Sequence, residues 1–185
     1  MITTCFDPFP VLHTNRLVLR QLSHADTEEV FFLRSDSGVM RYTGQHLATS
    51  RAEICQYIDG YLARQAAGEG ILWGIVPLGA ERLAGLIGFR RFYREHYRGE
   101  VGYGIHPGYQ GQGLMHEAIG AVIGYGFTQI GLHSIEANVD KDNLPSIRLL
   151  ERNNFVKEAH FRENYFFEGR FIDSVIYSLI NDQRC

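Results

Sequence analysis

The chain has 185 residues, of which 45% are hydrophobic and 21% are charged, and its formal net charge at pH 7 is −3. These values are ordinary for a globular protein with one hydrophobic core, so we expect a single domain over residues 1–185. The weak negative charge gives no reason to expect a nucleic acid or an anionic membrane as a partner.

The cysteines and histidines show no pattern of a metal or redox site. Cys5, Cys55 and Cys185 are far apart, no C-x-x-C motif occurs, and the eight histidines show no H-x-x-x-H spacing, so we expect no metal. The N-terminus lacks the basic and apolar segments of a signal peptide, and the longest apolar stretch is too short to span a bilayer. We therefore expect a cytoplasmic protein with reduced cysteines.

The first third of the chain predicts one strand and two helices. The segment RLVLRQL, at Arg16–Leu22, predicts a first strand, and Ser23 and Asp26 then stand at capping-box spacing before a short helix. The segment DSGVMRYTG follows as a loop or a broken helix. A second capping box, Ser50 with Glu53, precedes apolar residues at helical spacing and predicts a longer helix over SRAEICQYIDGYLARQ.

The rest of the chain predicts three consecutive strands, ILWGIVPL, LAGLIGFRRF and EVGYGI, followed by a crossover. In the third strand Val101, Tyr103 and Ile105 share one face. Apolar residues after Gly113 recur at helical spacing and predict a long helix. HSIEANVD is a further strand, Asn143 is a candidate N-cap for a helix over NLPSIRLLERN, and two final strands form a hairpin.

The predicted order of elements is β-α-α-β-β-β-α-β-α-β-β. An antiparallel meander that leads into a β-loop-α-β crossover is typical of an α/β or α+β domain. We therefore expect a mixed, mostly antiparallel central sheet of about seven strands flanked by about four helices.

Three glycines, Gly108, Gly111 and Gly113, lie between the strand EVGYGI and the long helix. Backbone free of Cβ atoms lets N–H groups at a helix N-terminus converge on an anion, usually phosphate. No P-loop lysine follows, and the third position of the dinucleotide fingerprint is His116, so neither an NTPase nor a Rossmann site is indicated. Glu117 is expected on the solvent side of the helix, away from such an anion. A glycine-rich turn without a ligand is the alternative.

The segment YQGQGLMHEA resembles the acyl-CoA pyrophosphate loop of the GCN5-related N-acetyltransferases, the GNAT superfamily, written Q/R-x-x-G-x-G/A. Gln110 matches the first position and Gly113 the fourth, whereas Met115 stands where Gly or Ala is usual. In order and spacing, TNRLVLRQL, GEVGYGIHPGYQGQGLMHEA, GLHSIEANVDKDNLPSIRLLERNNF and GRFIDSVIYSL are similar to the branch of ribosomal-protein N-terminal alanine acetyltransferases. Asn154 replaces the usual Gly before Phe155, and Asn tolerates the left-handed backbone expected there.

The resemblance implies a GNAT-like fold in which the strand EVGYGI splays from HSIEANVD, with the pantetheine arm of acetyl-CoA in the gap. The backbone of Ile105 would hydrogen-bond that arm, and Gly102 and Gly104 would permit a bulge in the strand. Asn143 would contact the cofactor, and Ser146 stands where the family has a hydroxyl near the thioester sulfur. The residues that would bind the pyrophosphate through backbone N–H groups are Gln110, Gly111, Gln112, Gly113, Leu114 and Met115.

Acetyl transfer from a thioester to an amine requires a neutral amine, a stabilised oxyanion and a proton for the departing thiolate. Ser146 is the candidate proton donor, because a thiol with a pKa of about 8.5 leaves readily and a weak donor suffices; the alternative is that Ser146 only caps its helix. Glu100 is the candidate general base and Glu163 the second choice. A water chain is the alternative base, and both carboxylates are otherwise solvated surface charges.

The implied function is acetyl-CoA-dependent N-acetyl transfer to a primary amine by direct attack on the thioester. An α-amine with a pKa of about 7.8 is roughly one-third neutral at pH 7.5 and needs little help from a base. The resemblance makes a protein N-terminal α-amine the preferred acceptor. The alternatives are a small-molecule amine, such as an aminoglycoside, a polyamine or an amino acid, and a non-catalytic CoA-binding module. We expect acetyl-CoA and the acceptor as partners, and a monomer or a homodimer.

Overall fold

The computed structural model of the chain describes residues 2–182. The strands are β1 Leu12–His13, β2 Leu17–Gln21, β3 Ile71–Pro77, β4 Gly85–Tyr93, β5 Arg98–Ile105, β6 Ser134–Val139, β7 Val156–Phe167 and β8 Arg170–Ile180. The α-helices are α1 Thr27–Ser35, α2 Ser37–Met40, α3 Arg51–Ala66, α4 Leu114–Tyr125 and α5 Leu144–Arg152. Cys5 and Cys55 are free thiols, and Cys185 lies outside the described residues.

The strands form one sheet in the order β1-β2-β3-β4-β5-β6-β8-β7. β5 and β6 are parallel, and the other neighbouring pairs in residues 2–182 are antiparallel. The predicted class, a mixed and mostly antiparallel sheet with flanking helices, is thus confirmed. One strand and one helix exceed the expected numbers, because the two-residue β1 pairs with β2 and the segment DSGVMRYTG contains the four-residue α2.

The two predicted capping boxes lie at the entries to α1 and α3. Asp26 Oδ2 accepts a hydrogen bond from the Ser23 N–H at 2.9 Å, and a 3₁₀ turn leads from there into α1. The Ser50 hydroxyl accepts a hydrogen bond from the Glu53 N–H at 3.3 Å. The Glu53 carboxylate reaches back to the Thr49 N–H at 2.9 Å, one residue before the expected partner. These bonds satisfy helix donors that would otherwise be unpaired.

The sheet separates two hydrophobic cores. On one face α4 and α5 bury residues such as Ile119 and Leu150 against the strands, and on the other α1 and α3 bury Val30 and Ile58. Val101, Tyr103 and Ile105 all pack into the α4–α5 core, as their alternation in β5 predicts. No helix in residues 2–182 has the length and apolar character that a bilayer crossing requires.

The parallel pair β5–β6 separates after three residue pairs, Arg98 with Ser134, Gly99 with Ile135 and Glu100 with Glu136. Beyond this point β5 continues along β4 to Ile105, while β6 continues along β8 to Val139. The expected splay between these strands is therefore confirmed. We call the gap between residues 101–105 of β5 and residues 137–139 of β6 the wedge.

The expectation of a bulge in β5 at Gly102 and Gly104 is wrong. The register shift lies in β4, between Phe89 and Arg91, and leaves Arg90 as the extra residue. Gly102 is needed for another reason, since a Cβ atom there would lie 2.5 Å from Arg90 Cδ. Gly102 thus lets the side chain of the bulged Arg90 lie across β5, beside the wedge. A bulge in β4 also adds local twist where the sheet opens.

Candidate functional site

The glycine loop leads from the end of β5 through a 3₁₀ turn, Pro107–Tyr109, to the start of α4. Gly111 has φ +73° and Gly113 has φ +76°, which is left-handed backbone that favours glycine. Gly113 is the N-cap of α4 and offers no side-chain cap. No atom lies within 4 Å of a Cβ built at Gly111. The outer side of the loop is therefore open.

The loop presents a row of free hydrogen-bond donors. The N–H of Gly108 donates to His106 Nδ1 at 3.0 Å, and the N–H of Gln110 donates to the Pro107 carbonyl at 3.1 Å. These two donors are therefore engaged, which removes the Gln110 N–H from the expected set. Among the described residues, no hydrogen-bond partner is found for the N–H groups of Gly111, Gln112, Gly113, Leu114 and Met115.

Arg16, at the entry to β2, holds the first turn of α4. Glu117 is not directed to solvent as expected, since its carboxylate accepts hydrogen bonds from the Arg16 N–H at 2.8 Å and from Arg16 Nε at 2.7 Å. Burial raises the pKa of Glu117, but hydrogen bonds from Thr14 and Arg16 outweigh it and hold that pKa below its usual value. Arg16 Nη1 also donates to the Gln112 carbonyl at 3.0 Å. The negative charge nearest the free amides is therefore neutralised by an ion pair.

Ser146 and Tyr103 meet at the wedge. Their oxygens, Ser146 Oγ and Tyr103 Oη, lie 2.8 Å apart, and Ser146 is buried. Burial raises the pKa of Tyr103 to about 12, and the hydrogen bond to Ser146 lowers it only in part. Both hydroxyls are thus neutral at physiological pH, and either can donate the proton of their shared hydrogen bond.

Asn143, rather than Ser146, caps α5. Asn143 Oδ1 accepts a hydrogen bond from the Ser146 N–H at 3.2 Å, so the alternative in which the Ser146 hydroxyl serves as the cap is not what the structure has. The side-chain oxygen of Asn143, Oδ1, makes this cap, and the side-chain nitrogen, Nδ2, is left to make other contacts. Ile105 ends β5, and its carbonyl accepts a long hydrogen bond from Gln110 Nε2 at 3.4 Å.

A cavity of about 200 Å³, which we call the inner cavity, extends through the wedge from one face of the sheet to the other. Tyr103, Asn143 and Ser146 line it on the side of α5, and Arg34 and Tyr57 line it on the side of α1 and α3. No three His, Cys, Asp or Glu side chains in residues 2–182 are grouped as metal ligands. The cavity is thus continuous from the paired hydroxyls to the opposite face.

Neither of the two candidate bases, Glu100 and Glu163, lines the inner cavity. Glu100 lines an adjoining cavity of about 270 Å³, which we call the outer cavity, together with Asp140, Tyr165 and Asp173. The two cavities share Arg90 and Asn138, among other residues, so Glu100 lies next to the Ser146 cavity without lining it. Glu163 lines neither cavity, and its backbone N–H donates to Asp173 Oδ1 at 3.0 Å. Its position gives no support to a role as the base.

Several residues of the site have no local sequence signal. The sequence predicts Tyr103 only as a residue on the same face of β5 as Val101. That alternation is the one sequence feature that places its side chain on the side of α5. Arg16 was visible only as part of a matching segment, and its partner Glu117 is 101 residues away. No pattern in the sequence points to Arg34 or Arg90.

Comparisons with known proteins agree with this architecture. The model of the acetyltransferase (GNAT) domain matches residues 16–156. An uncharacterized N-acetyltransferase of Bacillus subtilis, YoaA, is 37% identical over 93% of this chain and 97% of its own. The alanine N-acetyltransferase of ribosomal protein uS5 from Escherichia coli is 27% identical over 91% of this chain and 89% of its own.

A solved structure shares both the fold and part of the sequence. It is the spermidine N-acetyltransferase from Vibrio cholerae in complex with CoA and spermine, which is 25% identical to this chain. It superposes with a TM-score of 0.79 over 90% of this chain and 96% of its own. The relatives that match over nearly the whole chain thus carry the names of two different acceptors, a ribosomal protein and a polyamine.

The Asn143 cap can be tested through stability. We expect Asn143→Ala to lower the free energy of unfolding by about 1 kcal/mol, because it removes the acceptor for the Ser146 N–H, whereas Asn143→Ser keeps a cap and most of the stability. Urea denaturation followed by circular dichroism measures both variants. Equal stability of the Ala variant and the unsubstituted protein would show that this bond does not hold α5.

Proposed function

Because the chain belongs to the acetyltransferase (GNAT) domain family and is an acetyl-CoA-dependent N-acetyltransferase, we propose that its acceptor is the α-amine of a protein N-terminus. The observation that carries the choice of acceptor is the inner cavity, because no carboxylate of the described residues lines it and an α-amine needs little help from a base. The transfer step rests on the wedge, which joins the free amides of the loop to the Tyr103–Ser146 pair along β5. One strand thereby supports both the binding of the donor and the transfer step.

Acetyl-CoA supplies the activated acetyl group and a thiolate leaving group. We assign its pyrophosphate to the five free N–H groups of residues 111–115, because donors and the positive end of α4 meet there. The left-handed backbone at Gly111 and Gly113 keeps Cβ atoms away from the approaching phosphates. Gln110 takes part through its side chain, which holds the Ile105 carbonyl, rather than through its N–H.

We assign the proton donor to Ser146. Its hydroxyl is buried at the wedge and can accept a hydrogen bond from neutral Tyr103 while donating its own proton to the departing sulfur, and the proton that the attacking amine releases on forming the amide restores the serine hydroxyl. Asn143 fixes the position of Ser146 by capping the same turn of α5. Tyr103 is then a positioning residue that orients the serine hydroxyl.

The acceptor enters from the opposite face of the sheet in this proposal. The inner cavity reaches the side of α1 and α3 and adjoins the outer cavity, and the two give room for the first residues of a peptide. Glu100 lines the outer cavity, where it could accept a proton directly or through water. The relative that acetylates ribosomal protein uS5 is consistent with such an acceptor. A peptide α-amine needs little help from a base, which suits an inner cavity that no carboxylate of the described residues lines.

A polyamine is the second candidate acceptor. The related Vibrio cholerae enzyme was solved with spermine, and the outer cavity of this chain contains the carboxylates of Glu100, Asp140 and Asp173. Asp173 is already paired with Lys141 at 3.1 Å and with His160 at 2.8 Å, so its charge is largely compensated. The carboxylates available to a polycation are therefore fewer than the lining residues suggest.

The acceptor class can be tested by measuring CoA release with matched acceptors. One peptide has a free α-amine and no lysine, a second has a blocked N-terminus and one lysine, and spermidine is the small amine. We expect turnover with the first peptide, with kcat/KM rising with pH through about 7.8 and then levelling off, because only the neutral amine attacks. Turnover with spermidine or the blocked peptide alone would contradict the N-terminal proposal.

The loop assignment can be tested with Gly113→Val. We expect the KM for acetyl-CoA to rise about tenfold or more, because a branched side chain at φ +76° displaces the free amides. Gly120→Val is the matched control, since Gly120 lies further along α4 and a Cβ atom there meets nothing within 4 Å. If Gly113→Val folds as the control does and its KM is unchanged, the loop is not the phosphate site.

The role of Ser146 can be tested with Ser146→Ala. We expect kcat to fall about tenfold while the KM for acetyl-CoA changes less than about twofold, because a thiolate of ordinary pKa needs only modest assistance. Tyr103→Phe should give a smaller loss, since it removes only the partner that orients the serine. Unchanged turnover in Ser146→Ala would exclude the serine as the proton donor.

A further inference from the structure

The inner cavity has an uncompensated positive charge on the side of α1 and α3. Among the side chains of residues 2–182 that line it, two are cationic, Arg34 and Arg90, and none is acidic. None of the ion pairs found in this part of the chain includes either arginine. A cavity of this kind favours an anionic group over a cationic one.

Arg34 is held at the cavity by neutral partners. Its Nη1 donates to Gln45 Oε1 at 2.6 Å, and its guanidinium lies over the Tyr57 ring, 4.9 Å from the centroid. Its Nε is buried without a hydrogen-bond partner in the described residues, and no partner is found there for Nη2. Two of its three guanidinium nitrogens, Nε and Nη2, are thus unused, although the side chain is fixed in place.

Arg90 approaches the same space from the bulge in β4. Its aliphatic stem lies across Gly102, where a Cβ atom would come within 2.5 Å of Cδ, so β5 has no side chain that separates Arg90 from the wedge. Arg90 is exposed, and it lines both the inner and the outer cavity. Its guanidinium is therefore free to pair with a bound ligand.

The other groups that face these arginines do not neutralise them. The carboxylate of Glu53 interacts with Arg34, but its pKa is held below the usual value first by the hydrogen bond from the Thr49 N–H and less by the charge of Arg34, and Glu53 does not line the inner cavity. Tyr57 is neutral, because burial, followed by the interaction with Tyr61, raises its pKa far above the usual value, and the attraction of Arg34 and Arg90 does not reverse this. Glu100 lies in the outer cavity, in register with Arg91 on β4 rather than with Arg90. The charge of the inner cavity is consequently positive.

We propose that Arg34 and Arg90 form an anion-binding subsite for the acceptor, so that the preferred acceptor amine carries a carboxylate close to the reacting nitrogen. This inference rests on the proposed function, for which it specifies a peptide with Asp or Glu in its first two residues. The guanidinium groups bind the carboxylate, while the amine is directed through the wedge toward Ser146. The ammonium groups of a polyamine are repelled from the same space.

The test compares four acceptors that differ in size and charge: Ala-Asp and Ala-Lys tetrapeptides of otherwise identical sequence, free aspartate, and spermidine. We expect kcat/KM for the Ala-Asp peptide to exceed that for the Ala-Lys peptide by about tenfold at low salt, and the ratio to shrink as salt is added. Equal values for the two peptides would overturn the subsite and leave the N-terminal function standing. Transfer to aspartate but to neither peptide would support the subsite and overturn the N-terminal function.

A variant that reverses the charge of Arg90 tests whether this residue causes the preference for the Ala-Asp peptide. We expect Arg90→Glu to invert the preference between the two peptides and to leave the KM for acetyl-CoA within about twofold of its original value. Arg91→Glu is the matched control, because the neighbouring Arg91 lines neither the inner nor the outer cavity. Arg34→Gln, which keeps a hydrogen-bonding side chain, should weaken the preference without inverting it. A preference unchanged in both Arg90→Glu and Arg34→Gln would refute the subsite.

Discussion

The separation of β5 from β6 after Glu100 and Glu136 is the constraint on which the site depends. β5 stays paired with β4, and β6 stays paired with β8, so the sheet opens between them without losing either strand. Backbone groups along the opened edge have no strand partner, and such groups are stable only against water or a polar ligand. The opening therefore places space and hydrogen-bonding backbone together in the middle of the sheet.

β5 divides the site by the alternation of its side chains. Tyr103 points to the α5 side, where it meets Ser146, whereas Gly102 faces the α1 and α3 side, where the stem of Arg90 crosses it. The strand then ends at Ile105 and continues into the loop with its free amides. Since a change of one residue in register would exchange the two faces, the pairing of β5 with β4 fixes which chemistry lies on which side.

The features that the sequence predicts well are those set by neighbouring residues. The left-handed φ of +63° at Asn154 follows from local requirements, as do the capping contacts of Asp26 and Ser50. Tyr103 and Ser146 are 43 residues apart and meet only because β5 and α5 pack together, so no local pattern predicts their contact. Gly102 shows a different limit on what can be predicted from the sequence. A glycine in a strand indicates a close approach, but the sequence does not say that the approaching group is the bulged residue of the next strand.

Net charge is a poor guide to the acceptor because some of the carboxylates near the site are already paired. The chain carries a formal charge of −3, yet Glu117 is bound by an arginine at the loop and Asp173 by Lys141 beside the outer cavity. Arg34 and Arg90 have no such partners among the residues that the structure describes, so the inner cavity is positive within a negative protein. Charges beyond about one Debye length, roughly 8 Å at physiological salt, are screened from a bound acceptor. The few charges that line the inner cavity are therefore a better basis for proposing an acceptor than the composition of the whole chain.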